Sequence, residues 1–362
     1  MKNLLKLSCL ATTVLCAGCH SIGPNTIKES HPRYNDAMGS VIDRQLLTNI
    51  VRLKYRENPM FLEINSIAES REFGLDVGFN PIEFQQRINQ TVFKSKTMLR
   101  NWQRPTISYR PIRGKEFIKH MMTPIPLNVV LGMSSSGWKL QRVFNTCVER
   151  INGLENAVNA SGPMPWNKPE YEDFYEMTAL LKKLEDERVI KIGRNANMNN
   201  VIMQIDQNAS KTLEVAEFKR LLSLDDSQNT FKFENDFLKE DGETLVVKTR
   251  SLMGILFYLS HAVEVPENDI KNGIVQTTID DDGNPFDWSK NASGTLLNVH
   301  CSKERPDDAF VSTFYRGHWF FIKDNDLHSK STFLFVSTLF NLQAGEASSN
   351  DVEPMLTIPI SR

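Results

Sequence analysis

The order of apolar patterns after residue 244 constrains the fold of this chain most strongly. A β-branched strand at 245–249 runs straight into a predicted helix at 251–263, and another helix is predicted at 331–343. Further strands are predicted at 274–279, 294–301, 309–315, 318–322 and 355–360. Because most of these strands follow one another without a helix between them, the fold class is predicted to be α+β, with helices packed on mostly antiparallel sheet.

The first half of the chain mixes the same two patterns. A helix is predicted at 35–58, because apolar residues recur on one of its faces at spacings of three and four. Residues 61–79 partly alternate and predict strands, and residues 137–152 predict a further helix. The apolar face of the first helix consists of Ile42, Leu46, Ile50 and Leu53.

Length and composition predict two domains of ordinary globular character. The chain has 362 residues, of which 40% are hydrophobic and 24% charged. Residues 156–169 are rich in Asn, Gly, Ser and Pro, which is typical of a linker. We therefore predict an N-terminal α+β domain at 35–155 and a C-terminal α+β domain at 170–362.

Residues 1–18 have the pattern of a bacterial export signal. Lys2 and Lys6 precede a short apolar run, and the small residues Ala17 and Gly18 follow it. The run is shorter than the roughly 20 apolar residues that a membrane-spanning helix needs. We expect this segment to be removed rather than folded into the protein.

Residues 15–19, which read Leu-Cys-Ala-Gly-Cys, resemble a bacterial lipobox. The resemblance implies that the thiol of Cys19 is lipidated and that Cys19 becomes the first residue of the mature chain. The aliphatic residue usual three positions before the cysteine is replaced by Cys16. Residues 19–34 would then be a lipidated tether. The alternative is an ordinary secretory signal cut near Gly18, which would release a soluble product.

If Cys19 carries a lipid, the membrane is a predicted binding partner of this protein. Two or more acyl chains anchor a protein stably, whereas one chain binds only marginally. The residue after Cys19 is His20 and not Asp, which by analogy with bacterial lipoprotein sorting favours the outer membrane. We expect a periplasm-facing body with this anchor.

Charge and motif content exclude several classes of function. The net charge of −2 provides no broad basic surface, so no nucleic-acid partner is predicted. The sequence has neither a P-loop nor a strand-flanked dinucleotide fingerprint, and no cofactor is predicted. Cys147 and Cys301 remain after the signal and Cys19 are set aside, and they could form a disulfide or stay as free thiols.

One serine–lysine pattern raises the possibility of a hydrolase. Ser136 and Lys139 fit S-x-x-K, whose spacing on a helix places the lysine near the hydroxyl. The partner motifs K-T-G and S-D-N do not occur in the chain. Helix capping by Ser136 is the simpler interpretation.

Two groups of residues have some features of metal sites. His261 and Glu264 are three residues apart, but no third ligand stands at a recognisable spacing. Asp280 and Asp287 flank an acidic segment with a glycine, which departs from the EF-hand spacing and is typical of a turn. We therefore predict no metal site and no catalytic residues.

Several stretches together resemble a family of uncharacterised proteobacterial envelope lipoproteins. They are residues 45–56, 249–256, 315–320 and 356–359, and they span most of the mature chain. The resemblance implies an envelope location but no activity and no catalytic residues. Within these stretches, Arg250 and Arg316 are candidate interaction residues, and salt bridges at strand ends are the alternative.

Aromatic residues provide two further candidates. Trp288 and Trp319 could line a groove for glycan or peptide, although packing in the core and at its rim is the simpler interpretation. These observations predict a non-enzymatic interaction or assembly component of the cell envelope, with an envelope protein or glycan as its partner. An envelope hydrolase acting on glycan or peptide is the alternative.

Overall fold

The computed structural model describes residues 22–82, 92–111, 115–163, 165–194, 201–235, 241–347 and 356–359. The predicted signal and Cys19 lie outside these residues. The chain forms two compact units. We call the first, Met1–Pro59 with Gly114–Ala347, the body, and the second, Met60–Arg113 with Ser348–Arg362, the hairpin unit. None of the described helices is long and apolar enough to cross a membrane.

The first described element is a 33-residue helix, α1 (Ile22–Lys54). Its last two turns are buried, because Leu46, Ile50 and Leu53 share the predicted apolar face. The helix begins at Ile22 and includes Pro32, whereas the sequence predicted a polar tether up to residue 34. Pro32 removes one backbone donor but does not end the helix.

The hairpin unit consists of two long strands and one short strand. Strands β1 (Leu62–Ile82) and β2 (Val92–Pro111) pair in antiparallel fashion, and β12 (Leu356–Pro359) pairs with the end of β2. The predicted strand at 355–360 is confirmed over Leu356–Pro359. The alternation at 61–79 belongs to the single strand β1.

A six-stranded sheet forms the centre of the body. The strands are β3 (Val148–Ile151), β4 (Leu154–Glu155), β5 (Ile190–Arg194), β6 (Val201–Ile205), β7 (Thr230–Glu234) and β8 (Thr244–Thr249). Their order in the sheet is β4-β3-β8-β7-β6-β5, and in this sheet β7 and β8 are the parallel pair. The predicted boundary at 156–169 is not where the units divide, because β3 and β8 come from either side of it and are paired.

A three-stranded antiparallel sheet completes the body. Its strands are β9 (His300–Ser302), β10 (Ala309–Tyr315) and β11 (His318–Lys323), in the order β10-β11-β9. Arg316 and Gly317 connect β10 to β11 with positive φ angles of 48° and 82°. This geometry is that of the tight hairpin turn predicted there.

Helices pack against both sheets of the body. They are α2 (Lys115–Met122), α3 (Leu127–Ser135), α4 (Leu140–Cys147), α5 (Glu172–Asp186), α6 (Leu213–Leu221), α7 (Leu252–Ser260), α8 (Glu267–Lys271) and α9 (Leu327–Ala347). Short 3-10 helices lie at Val158–Ser161 and Ala292–Thr295. Helices packed on mostly antiparallel sheets confirm the predicted α+β class.

Besides the tether, three sequence predictions of local structure are wrong. The helix predicted at 137–152 ends at Cys147, and Val148–Ile151 forms β3 instead. The strand predicted at 274–279 contributes only isolated bridges at Ile279. The strand predicted at 294–301 forms only from His300, as part of β9, and Ala292–Thr295 is a 3-10 helix. In the first case, pairing of β3 with β8 overrides the helical period of the sequence.

Candidate functional site

A cavity of about 270 Å³ lies in the body where two helices end. The helices are α1, which ends at Lys54, and α7, which is followed directly by His261. We call this space the Lys54 cavity. Its walls include Lys54, His261, Val263, Val275, Phe286 and Trp288.

Lys54 is the most unusual residue of the cavity. It follows Leu47 by seven positions and Ile50 by four, so it continues the buried stripe of α1 and is only 9% exposed. Its Nζ donates a hydrogen bond of 2.6 Å to the backbone carbonyl of His261, at the negative end of the α7 dipole. Among the residues that the structure describes, no carboxylate forms an ion pair with Lys54. Burial lowers the pKa of Lys54 to about 7.

His261 is buried beside Lys54 and is neutral. Its Nε2 lies 2.9 Å from the carbonyl oxygen of Ala160, and because a carbonyl can only accept, the proton is on Nε2. Burial, followed by the charge of Lys54, lowers the pKa of His261 to about 3. His261 and Glu264, which the sequence raised as a possible metal pair and which we did not predict as a site, each bond to other groups.

Trp288 forms an aromatic wall of the cavity. Its ring centroid lies 4.8 Å from that of His261, and its Nε1 donates a 3.0 Å hydrogen bond to Thr278 Oγ1. A side chain at Gly294 would meet the backbone carbonyls of Trp288 and Ser289, so only glycine permits this approach. Trp288 is 5% exposed, so it lines a cavity and not the open groove that we predicted.

The two acids of the cavity already have partners. Glu264 accepts hydrogen bonds from His300 Nδ1 at 2.9 Å and from the Cys301 N–H at 3.1 Å. Partial burial opposes ionisation of Glu264, but these bonds and the charge of His300 hold its pKa below the usual value. Hydrogen bonds from Ser289, together with Lys290 at 3.2 Å, lower the pKa of Asp287. The ion-pair partners of the two acids are therefore His300 and Lys290, and neither acid pairs with Lys54.

A second cavity of about 710 Å³ shares Glu264 with the first and also contains Cys301. Burial raises the pKa of the Cys301 thiol to about 11, and that of Cys147 to about 12. Both cysteines are free thiols, so the disulfide alternative is wrong. At neutral pH both remain protonated, which is unsuitable for a nucleophile.

Arg250 is a buried structural residue and not the surface contact that we predicted. It is 1% exposed and follows β8 directly. Its Nη1 donates to the carbonyls of Asn145, Thr146 and Val148 at 3.3, 3.3 and 3.0 Å. These carbonyls lie at the end of α4, where a helix leaves backbone acceptors unpaired.

The remaining donors of Arg250 are also paired. Its Nη2 donates to the carbonyl of Asn156, and its Nε donates to Ser161 Oγ at 3.0 Å. The guanidinium lies 4.0 Å from the ring centroid of Tyr258. Arg250 therefore holds the end of α4 in place, and its neighbourhood is filled by protein groups.

Arg316 and Trp319 lie on the three-stranded sheet. Arg316 Nη1 forms a 2.9 Å ion pair with Glu57 and stacks over Tyr55, which agrees with the salt-bridge alternative. Trp319 is half-buried between Phe314, at 5.3 Å, and the Arg305 guanidinium, at 5.4 Å. Both residues remain partly accessible, unlike Arg250 and Trp288.

The residues that raised the hydrolase alternative and the acidic segment at 280–287 have other roles in the structure. Lys139 pairs with Asp186 at 2.8 Å, while Ser136 Oγ bonds the Gly132 carbonyl. Asp280 accepts backbone N–H bonds from residues 282 and 284 and so stabilises a turn. The described part of the chain contains no group of three or more His, Cys, Asp or Glu residues that could hold a metal.

The fold and the cavity define a mixed α+β protein with a partly enclosed, aromatic-walled space. No family model, curated protein or solved structure matches this chain. The proposals below therefore depend on the residues alone.

Proposed function

We propose that this protein is a lipoprotein of the outer membrane, anchored through Cys19, whose body binds another envelope protein or a glycan without catalysing a reaction. The observation that carries the proposal is the position of α1. Only two residues separate Cys19 from the start of this helix at Ile22, and its last turns are buried in the body. A lipid on Cys19 would therefore be joined to the folded body by continuous helix.

The length of this connection supports a role at a distance from the membrane. Leu46 is the first residue of α1 that is buried among those whose burial is described, and it lies 24 residues after Ile22, which at about 1.5 Å per residue is roughly 36 Å of helix. A helix of this kind is a stiffer spacer than a flexible linker. It would hold the body away from the lipid surface, where a partner can reach it.

Exposed apolar residues provide a candidate docking surface. Helices α2 and α9 pack against each other. Ile118 and Met122 on α2, and Leu334 on α9, are each more than half exposed. Contiguous exposed apolar patches mark protein–protein contact sites, so the surface of these two packed helices is the one to test.

The hydrolase alternative has less support from the geometry. Ser136 and Lys139 have separate partners, and Asp280 and Asp287 stabilise turns. The Ser136 hydroxyl is therefore bonded to a backbone carbonyl and not to a base that could activate it as a nucleophile.

Metabolic acyl labelling tests the anchor. Cells expressing the wild type, Cys19→Ser and the control Cys301→Ser are labelled with palmitate and fractionated. We expect label and membrane sedimentation in the wild type and the control, and neither in Cys19→Ser. An unmodified N-terminal peptide in the exported wild type would refute the anchor.

Site-specific photo-crosslinking tests the docking surface. A crosslinker replaces Met122 in one variant and, as a control, the exposed Leu213 of α6 in another. We expect a discrete crosslinked species from position 122 that Leu334→Glu weakens. Equal patterns from positions 122 and 213 would contradict a docking role for α2 and α9.

A further inference from the structure

We propose that the Lys54 cavity is a binding site for a small aromatic monocarboxylate, whose carboxylate pairs with the Lys54 ammonium while its ring lies against Trp288. The inference goes beyond the envelope role and does not depend on lipidation. It is carried by the bonding of Lys54, by the size of the cavity and by the character of its walls.

Arg250 and Lys54 are both buried cations of the body, but they differ in how many hydrogen-bond acceptors surround them. Arg250 donates to five described acceptors and is covered by Tyr258. Lys54 has three N–H donors, and the described residues provide one acceptor, the His261 carbonyl. A buried charge without a counter-ion costs folding free energy, so buried lysines are normally paired. Lys54 lacks that pairing and lines a cavity, where a ligand can provide it.

The volume of the cavity sets the size of the ligand. An apolar cavity of about 150 Å³ holds a benzene ring. The Lys54 cavity, at about 270 Å³, has room for one ring with a short side chain. A disaccharide or a nucleotide would extend beyond this volume.

The side chains that line the cavity indicate which chemical groups the ligand carries. Trp288 and Phe286 meet edge to face with centroids 5.0 Å apart, and Val263 and Val275 add aliphatic surface. An aromatic ring packs well against such side chains. The carboxylate follows from Lys54, because the other titratable side chains of the cavity, His261, Glu264 and Asp287, are neutral or already paired.

The charged neighbours set the pH range in which binding is strongest. Lys54 must be protonated and the ligand ionised, while Glu264 and Asp287 stay ionised and His261 stays neutral. Burial lowers the pKa of Lys54 to about 7, so affinity should fall as the pH rises above that value. Binding is therefore measured near pH 6.

Calorimetry with two matched probes tests the site in the full-length protein. The probes are 3-phenylpropionate and its neutral amide, 3-phenylpropanamide, and the variants are Lys54→Met and the control Lys182→Met, an exposed lysine of α5. For the wild type and the control, we expect the acid to bind at least about tenfold more tightly than the amide. In Lys54→Met the two probes should bind within about twofold of each other.

A second measurement locates the bound probe. The Trp288 indole N–H resonance, assigned by comparison with Trp288→Phe, should shift on titration with the acid. The proposal is overturned if acid and amide bind the wild type equally, if the preference survives in Lys54→Met, if the Trp288 resonance does not move, or if neither probe binds at millimolar concentration.

Discussion

Replacing Lys54 with methionine should stabilise the protein at neutral pH. In the unfolded chain Lys54 has its ordinary pKa of 10.5, whereas burial lowers the folded-state pKa to about 7. When the protein folds at pH 7, the Lys54 ammonium must therefore either lose its proton or be buried as a charge, and both cost free energy. Methionine has a similar length and no charge, so it removes this cost.

The size of the effect follows from the pKa difference. A difference of about 3.5 units at about 1.36 kcal/mol per unit corresponds to at most about 5 kcal/mol. Leaving the His261 carbonyl without its donor offsets roughly 1 kcal/mol of this. We expect Lys54→Met to gain at most about 4 kcal/mol in the free energy of unfolding at pH 7.

The pH dependence separates this cause from better packing. Between pH 7 and 10.5 the unfolded wild type binds more protons at Lys54 than the folded state does, so wild-type stability rises with pH in this window. The advantage of Lys54→Met should therefore reach its full size below pH 7, be close to it at pH 7, and shrink towards pH 10.5.

Urea denaturation followed by circular dichroism at several pH values measures this difference. Other titrating groups contribute equally to both proteins and cancel in the comparison. A loss of stability in Lys54→Met at pH 7, or a gain that is constant up to pH 10.5, would refute the reasoning.

Three further predictions concern the surroundings of the site. Arg250→Met should lower the free energy of unfolding by about 3 kcal/mol or more, because it leaves buried carbonyls unpaired. Arg316→Met, which breaks a partly exposed ion pair, should lower it by less than about 1 kcal/mol, and urea titrations of both variants measure this contrast. Gly294→Ala should lower the melting temperature, since its Cβ meets the Trp288 carbonyl; an unchanged melting curve would contradict it. Iodoacetamide should modify the native thiols of Cys147 and Cys301 more slowly than a free cysteine at pH 8, as mass spectrometry can show.

The elements that were predicted correctly from the sequence are those whose structure is determined by residues a few positions apart. The buried residues Leu46, Ile50 and Leu53 of α1 are an example, as is the turn at Arg316, because period and turn residues act over a few positions. Helix α4 was predicted too long, because its end depends on pairing between β3 and β8, which are about 100 residues apart.

The candidate site was harder to predict for the same reason. Arg250 stands at the end of a strand, and nothing local indicates that its guanidinium meets the end of α4. Lys54 was missed, although its spacing from Leu47 and Ile50 places it on the buried face. A basic residue on an apolar stripe is the one signal that could have indicated the cavity.

Helix α1 connects the two proposals and also allows them to be tested separately. It begins at Ile22, close to the predicted anchor at Cys19, and ends at Lys54, so its 33 residues place the two ends about 50 Å apart along the helix. Charges separated by that distance do not interact measurably in salt. Loss of the lipid in Cys19→Ser should therefore leave probe binding at Lys54 unchanged, and Lys54→Met should leave lipidation unchanged.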